Sequence, residues 1–190
     1  ADIILRSVTQ LADQLGLDLV EHGFVTDQIV LTVGYDIENL TDPVRAKRYH
    51  GEVTTDRYGR KIPKHAHGTA NLQNHTSSAI TVVEKTLELY DRIINPDLLI
   101  RRIYVTACHV RTEQEAQKEQ TYEQMSLFDF AEETEERKAQ KQALQKEKQM
   151  QKAMLSIKQR YGKNAILKGT NFKEGATMRQ RNGQIGGHRA

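Results

Sequence analysis

The apolar residues of this chain are unevenly placed, and that limits what it can fold into. Nearly all the alternating or helix-periodic apolar sequence lies before residue 111. From Thr112 to Ala153 one compact apolar cluster interrupts a polar stretch: QMSLFDF, residues 124–130, which holds two of the four phenylalanines. Only the first part can build a core. The isolated cluster cannot bury itself locally, so it either docks on a partner or folds back on the domain. The expected division is a small folded domain over 1–111, a linker carrying the cluster over 112–131, a charged helix over 132–161, and a basic, Gly-rich tail over 162–190.

Charge follows the same division. Residues 1–110 carry 12 basic and 14 acidic side chains, 111–131 carry 2 and 5, 132–160 carry 8 and 5, and 161–190 carry 6 and 1. The net +3 therefore hides a strongly basic end, which points to an anionic partner, nucleic acid being the usual one. The single cysteine, Cys108, allows no disulfide framework within the chain and fits a reducing compartment. No apolar run approaches the ~20 residues that span a bilayer, and no signal peptide opens the chain. A cytoplasmic monomer without membrane contact is expected. Ala1 leads straight into a helical pattern, as in a piece of something longer.

The pattern over 3–22 predicts a helix, with Ile4, Val8, Leu11 and Leu15 on one face, Gly16 weakening its middle and Gly23 just past its end. Phe24 to Tyr35 predicts a strand with Ile29, Leu31, Val33 and Tyr35 inward. Glu38 to Pro63 has no period and is expected to be a long loop, rich in Arg and Lys with Tyr interleaved. Lys64 to Leu72 alternates again: Ala66, Gly68, Ala70 and Leu72 inward; His65, His67, Thr69 and Asn71 outward. Thr76 to Ser78 caps a second helix whose expected buried face is Ile80, Val83, Leu87, Tyr90 and Ile94, with Pro96 ending it. Leu98 to Val110 predicts a last strand, with Ile103, Val105 and Ala107 on one face.

Together these predict an α+β fold: an antiparallel sheet with two helices on one face and a polar opposite face. A split β-α-β pattern would need one more strand before residue 1. The first half of the charged helix has almost no apolar face and is expected to be solvated or disordered. In its second half Met150, Met154, Ile157 and Tyr161 recur at helical spacing.

Several strings carry a family resemblance. Strand, basic loop, strand, helix and strand over Phe24 to Val110, with KHAHGTANL inside them, resemble the little-finger domain of Y-family translesion DNA polymerases of the UmuC/DinB type. QMSLF resembles the pentapeptide by which bacterial polymerases hold the sliding clamp, and KNAILKG with EGATMRQRNGQIGGH resembles the C-terminal signature of the UmuC-like branch of Gram-positive bacteria. The resemblance covers most of the chain. It implies a primer–template DNA contact by Arg57, Arg60, Lys61, Lys64, His65, His67, Thr69 and Asn71. It also implies a contact with the β subunit of the bacterial clamp by Gln124, Met125, Ser126, Leu127 and Phe128. The family's catalytic palm, with its acidic Mg²⁺ ligands, has no counterpart here, and no Gly-rich phosphate loop replaces it. The chain alone is therefore expected to be catalytically inactive and to hold no cofactor.

The residues themselves support parts of this. Basic side chains beside short polar ones suit a phosphate backbone and are blind to base identity. Gln124 can hydrogen-bond specifically while Leu127 and Phe128 fill an apolar groove. Two rivals stand beside it: a non-catalytic regulator that binds clamp and DNA, and an RNA-associated basic protein. His65-x-His67 and Cys108–His109 match no standard zinc spacing, so no metal is expected.

Overall fold

In a computed structural model the described residues are 2–123, 135–173, 176–185 and 188–189. They form an α+β fold in which helices α1 (Asp2–His22) and α4 (Ala79–Ile93) cover one face of an antiparallel sheet. The sheet contains β1 (Phe24–Tyr35), β4 (Ala66–Thr76) and β5 (Ile100–Cys108) in the order β4-β1-β5, and a short β6 (Arg111–Thr112) pairs with the start of β1. β4 and β5 run parallel with β1 inserted between them, so β4–α4–β5 is a split β-α-β unit whose gap β1 fills; contrary to expectation, this unit draws on no strand before residue 1.

The inward residues of β1 are those its alternation predicts: Ile29, Leu31 and Val33 are fully buried and Tyr35 nearly so. They meet Val8 and Ala12 of α1 and Val82, Leu89 and Tyr90 of α4. Gly16 is not merely a weak point in α1. A Cβ there would lie 2.6 Å from the Ala79 Cα, so its absence lets α1 touch the first turn of α4. Gly23, at φ +68°, ends α1 as expected.

The buried face of α4 differs from expectation. Ala79, Val82, Thr86, Leu89 and Tyr90 point inward, while Ile80 is more than half exposed. Two features turn the helix this way: the Gly16–Ala79 contact, and Thr86, whose hydroxyl donates to the Val82 carbonyl at 2.6 Å and is satisfied without water.

The expected long loop is organised. It holds α2 (Glu38–Thr41), α3 (Pro43–Arg48) and a hairpin of β2 (Val53–Thr55) and β3 (Lys61–Pro63). Asp42 caps α3 through the amides of Val44 and Arg45, with Pro43 in the first turn. Asn39 is fully buried and bonds Leu99 through both amide atoms, tying α2 to the chain entering β5.

After β6 come α5 (Glu113–Glu123) and α6 (Glu135–Tyr161), so a helix occupies the first part of the expected linker. α6 lies against α1 and the start of α4 through Glu147, Gln151 and Leu155, all buried. Of the four residues that recur at helical spacing, Met154 is half-buried while Met150, Ile157 and Tyr161 are exposed. Glu147 explains the choice. Its carboxylate accepts from Ser78 Oγ at 2.7 Å and from the Ile80 amide at 3.0 Å, so a tail residue helps cap α4. Gln151 donates to the Ser77 carbonyl at 3.2 Å, and Lys148 pairs with Glu113.

Beyond α6 a 3-10 turn (Gly169–Phe172), a one-turn α7 (Met178–Arg181) and a pairing of β7 (Gln184–Ile185) with β8 (His188–Arg189) follow. Lys168 pairs with Asp13 at 2.5 Å, and Asn171 accepts from Gln10 at 2.9 Å, so this segment also rests on α1. Among the described residues no helix is long and apolar enough to cross a membrane.

Candidate functional site

The face of the sheet turned away from the helices is a polar surface whose rows follow from register. Asn71, Gln28 and Cys108 form one row; Thr69, Val30 and Thr106 the next; His67, Thr32 and Tyr104 the third. A fourth begins with Gly34 opposite Arg102. None of these residues is acidic. Gln28 donates to Asn71 at 2.9 Å, and Thr32 and the His67 ring bond at 3.0 Å, so the short polar groups hold each other in place. His65 stands edge-on to His67 at 6.2 Å, extending the face along the edge strand.

At one end of this face the β1–β5 register shifts between Gly34 and Tyr35, leaving Arg101 as an extra residue between two paired ones. The consequence is visible in burial: Ile100 and Ile103 are half-buried, and Arg101 and Arg102 are both exposed. A bulge therefore sets two consecutive arginines side by side on the outer face, where strict alternation would send one inward. Gly34 gives Arg102 room to lie across the sheet: a Cβ at Gly34 would sit 3.1 Å from Arg102 Cγ. The paired arginines were missed by sequence reasoning. The only sequence signal is the Arg-Arg pair inside an otherwise alternating strand.

The β2–β3 hairpin belongs to the same end, since Asp36, just after β1, lies close enough to Arg60 to stabilise its charge. Its four basic residues are not equivalent. Arg60 is held by Asp56 through two hydrogen bonds, at 2.9 and 2.7 Å. Asp56 also accepts from the Tyr58 and Arg60 amides. The Arg60 guanidinium, then those amides, hold the Asp56 carboxyl at about 2, below its ordinary 3.8. Arg60 is thus first of all the clasp of the turn. Lys64 pairs with Glu52 at 2.7 Å on an exposed surface, a contact worth little. Arg57 bonds the Tyr58 hydroxyl and lies 4.6 Å from that ring's centre. Lys61 is exposed and without an ion pair among the described residues.

His67, Thr69 and Asn71 thus lie along β4 on the open face, with Lys64 and His65 leading in, while Arg57, Arg60 and Lys61 stand on the hairpin at its end. His67 pairs across from Thr32 and Cys108 from Gln28, four residues apart along β1 or about 13 Å at ~3.3 Å per residue, so the His65/His67 and Cys108/His109 groups do not converge. His109 bonds Asp27 at 2.9 Å instead. Gln124, Met125, Ser126, Leu127 and Phe128 lie outside the described residues.

Comparison with protein-family models, with curated proteins and with solved structures gave no match.

Proposed function

We propose that this chain is the DNA-holding and clamp-tethering C-terminal part of a translesion DNA polymerase of the Y family, a little-finger-like domain followed by a clamp-binding segment. The observation that carries the proposal is the outer face of β4-β1-β5, whose paired rows from Gln28 to Gly34 hold no acidic residue and end in the bulge that pairs Arg101 with Arg102. Short polar side chains approach a duplex backbone closely, and the arginines and Lys61 neutralise phosphates and release counterions. Contacts of this kind carry no sequence information, which suits an enzyme that must accept damaged templates. The QMSLF string, Gln124 to Phe128, would supply the clamp anchor.

The test is a salt titration of primer–template binding by fluorescence anisotropy, wild type against an Arg101→Gln, Arg102→Gln double variant. Affinity is expected to fall about equally across sequences, and the salt slope to flatten by about 0.9 for each lost phosphate contact. The same sample, titrated with the bacterial sliding clamp, should lose about ten- to a hundredfold in affinity when Leu127 and Phe128 are both replaced by Ala. An unchanged salt slope, or equal affinity for structured RNA and primer–template, would overturn the DNA reading. Clamp binding indifferent to Leu127 and Phe128 would overturn the tether.

A further inference from the structure

The end of the chain holds a second basic surface, away from the sheet. Residues 161–190 carry six basic side chains and one acidic. Tyr161, closing α6, and Phe172, closing the 3-10 turn, are 67% and 65% exposed. Each ring has a guanidinium beside it: Arg160 lies 5.4 Å from the Tyr161 ring centre and Arg179 5.4 Å from that of Phe172. Rings so exposed add little to a core. Flat apolar faces flanked by cations are what stacked bases and their phosphates require.

Hydrogen bonds tie the chain just after Tyr161 to α7, which carries Arg179. Asn164 donates to the Arg179 carbonyl at 3.3 Å. Asn182 donates to the Lys163 carbonyl at 3.3 Å and to Asn164 Oδ1 at 2.8 Å. The segment following Tyr161 is therefore tied to the helix whose Arg179 covers Phe172. Lys163 and Arg181 are exposed and make no ion pair among the described residues. Both also line a cleft of about 600 Å³, together with Asp18 and Glu21 of α1. Those carboxylates disfavour an anion inside the cleft.

We propose that this surface binds single-stranded nucleic acid, with bases stacked on Tyr161 and Phe172 and phosphates on Arg160, Lys163, Arg179 and Arg181. A duplex would not use the rings, because its bases are already stacked on one another. The inference does not depend on the sheet's partner.

The test uses the full chain with a fluorescein-labelled oligothymidylate of about 20 nucleotides and a duplex of the same length. In a Tyr161→Leu, Phe172→Leu variant, which keeps apolar bulk, single-strand affinity is expected to fall about tenfold or more while duplex affinity changes less than about twofold. The chain has no tryptophan, so Phe172→Trp adds a lone reporter whose emission should be quenched by the oligonucleotide. That readout stands even if the double variant folds poorly. Equal losses on both substrates, no loss on either, or no quenching would overturn the proposal. So would binding to phosphatidylserine vesicles that depends on the rings while oligonucleotide binding does not.

Discussion

Helices α4 and α6 both lie against the rest of the molecule, but they hold on by different chemistry. α4 buries Val82, Leu89 and Tyr90 against the inward side chains of β1, a contact made of apolar area. α6 buries Glu147, Gln151 and Leu155, and two of those three make their main contacts as hydrogen-bonding groups at the N-terminus of α4. The first contact is non-directional and scales with area; the second needs a particular carboxylate opposite particular donors. One consequence is that α6 can dock with a nearly all-polar sequence. Another is that its docking is the more fragile of the two.

The largest expected effect sets the two contacts against each other. Leu89→Ala removes a side chain only 1% exposed from the centre of the main cluster and should cost about 2–5 kcal/mol of global stability in urea unfolding. Leu155→Ala removes a side chain at the edge of a polar contact and should cost about 1–2 kcal/mol. Equal costs would mean that α6 is part of the core and that the distinction fails.

The same distinction governs how much of the molecule was legible in its sequence. β1 was legible to its ends because apolar and polar residues alternate against an apolar layer, and the inward faces of β4 and β5 for the same reason. The face of α4 was read one step off, because Thr86 faces the core with its hydroxyl satisfied inside its own helix and Ile80 does not. In α6 the apolar residues Met150, Ile157 and Tyr161 drew attention to the exposed side, since hydropathy cannot see that Glu147 will meet the Ile80 amide and the Ser78 hydroxyl, 67 and 69 residues away in sequence. The Arg101–Arg102 pair was hidden for a third reason: a bulge is a relation between two strands, and neither strand announces it alone. Asp42-Pro43 and Asp56 to Gly59 are local turn chemistry, but reading Glu38 to Pro63 as one long loop without a period passed over both.

A smaller effect sharpens the comparison at α6 itself. Glu147→Ala leaves Ser78 able to cap Thr81, whose amide donates to Ser78 Oγ at 3.1 Å, but removes the carboxylate that ties α6 to that end of α4. The expected cost is about 1–2 kcal/mol, felt locally. Amides of α6 should lose hydrogen-exchange protection while those of β1 and α4 keep theirs. Uniform loss of protection across all three elements would show that α6 docks as one cooperative unit with the sheet.

The smallest effect concerns a polar contact that closes on itself. Asp56 and Arg60 clasp the β2–β3 turn, with Gly59 at φ +77° completing it, and their contact spans four residues of chain rather than two distant elements. The Asp56 carboxyl titrates at about 2 when folded, against an ordinary 3.8. A depressed carboxylate stabilises the fold above its unfolded value, so this contribution is complete above about pH 4 and drains away as pH falls toward 2. An NMR titration of the Tyr58 and Gly59 amides should therefore find a midpoint near 2 in the wild type. In an Arg60→Gln variant the same midpoint should rise toward 3.8, because the side-chain bond from Arg60 is the largest cause of the shift. The amides of α6 should not follow this transition, since nothing in its docking uses Asp56. If wild type and variant share one midpoint, the two remaining backbone bonds hold the turn and Arg60 is free for other contacts; if they differ, Arg60 is committed to the hairpin and the proposed duplex contact rests on Lys61, Arg101 and Arg102.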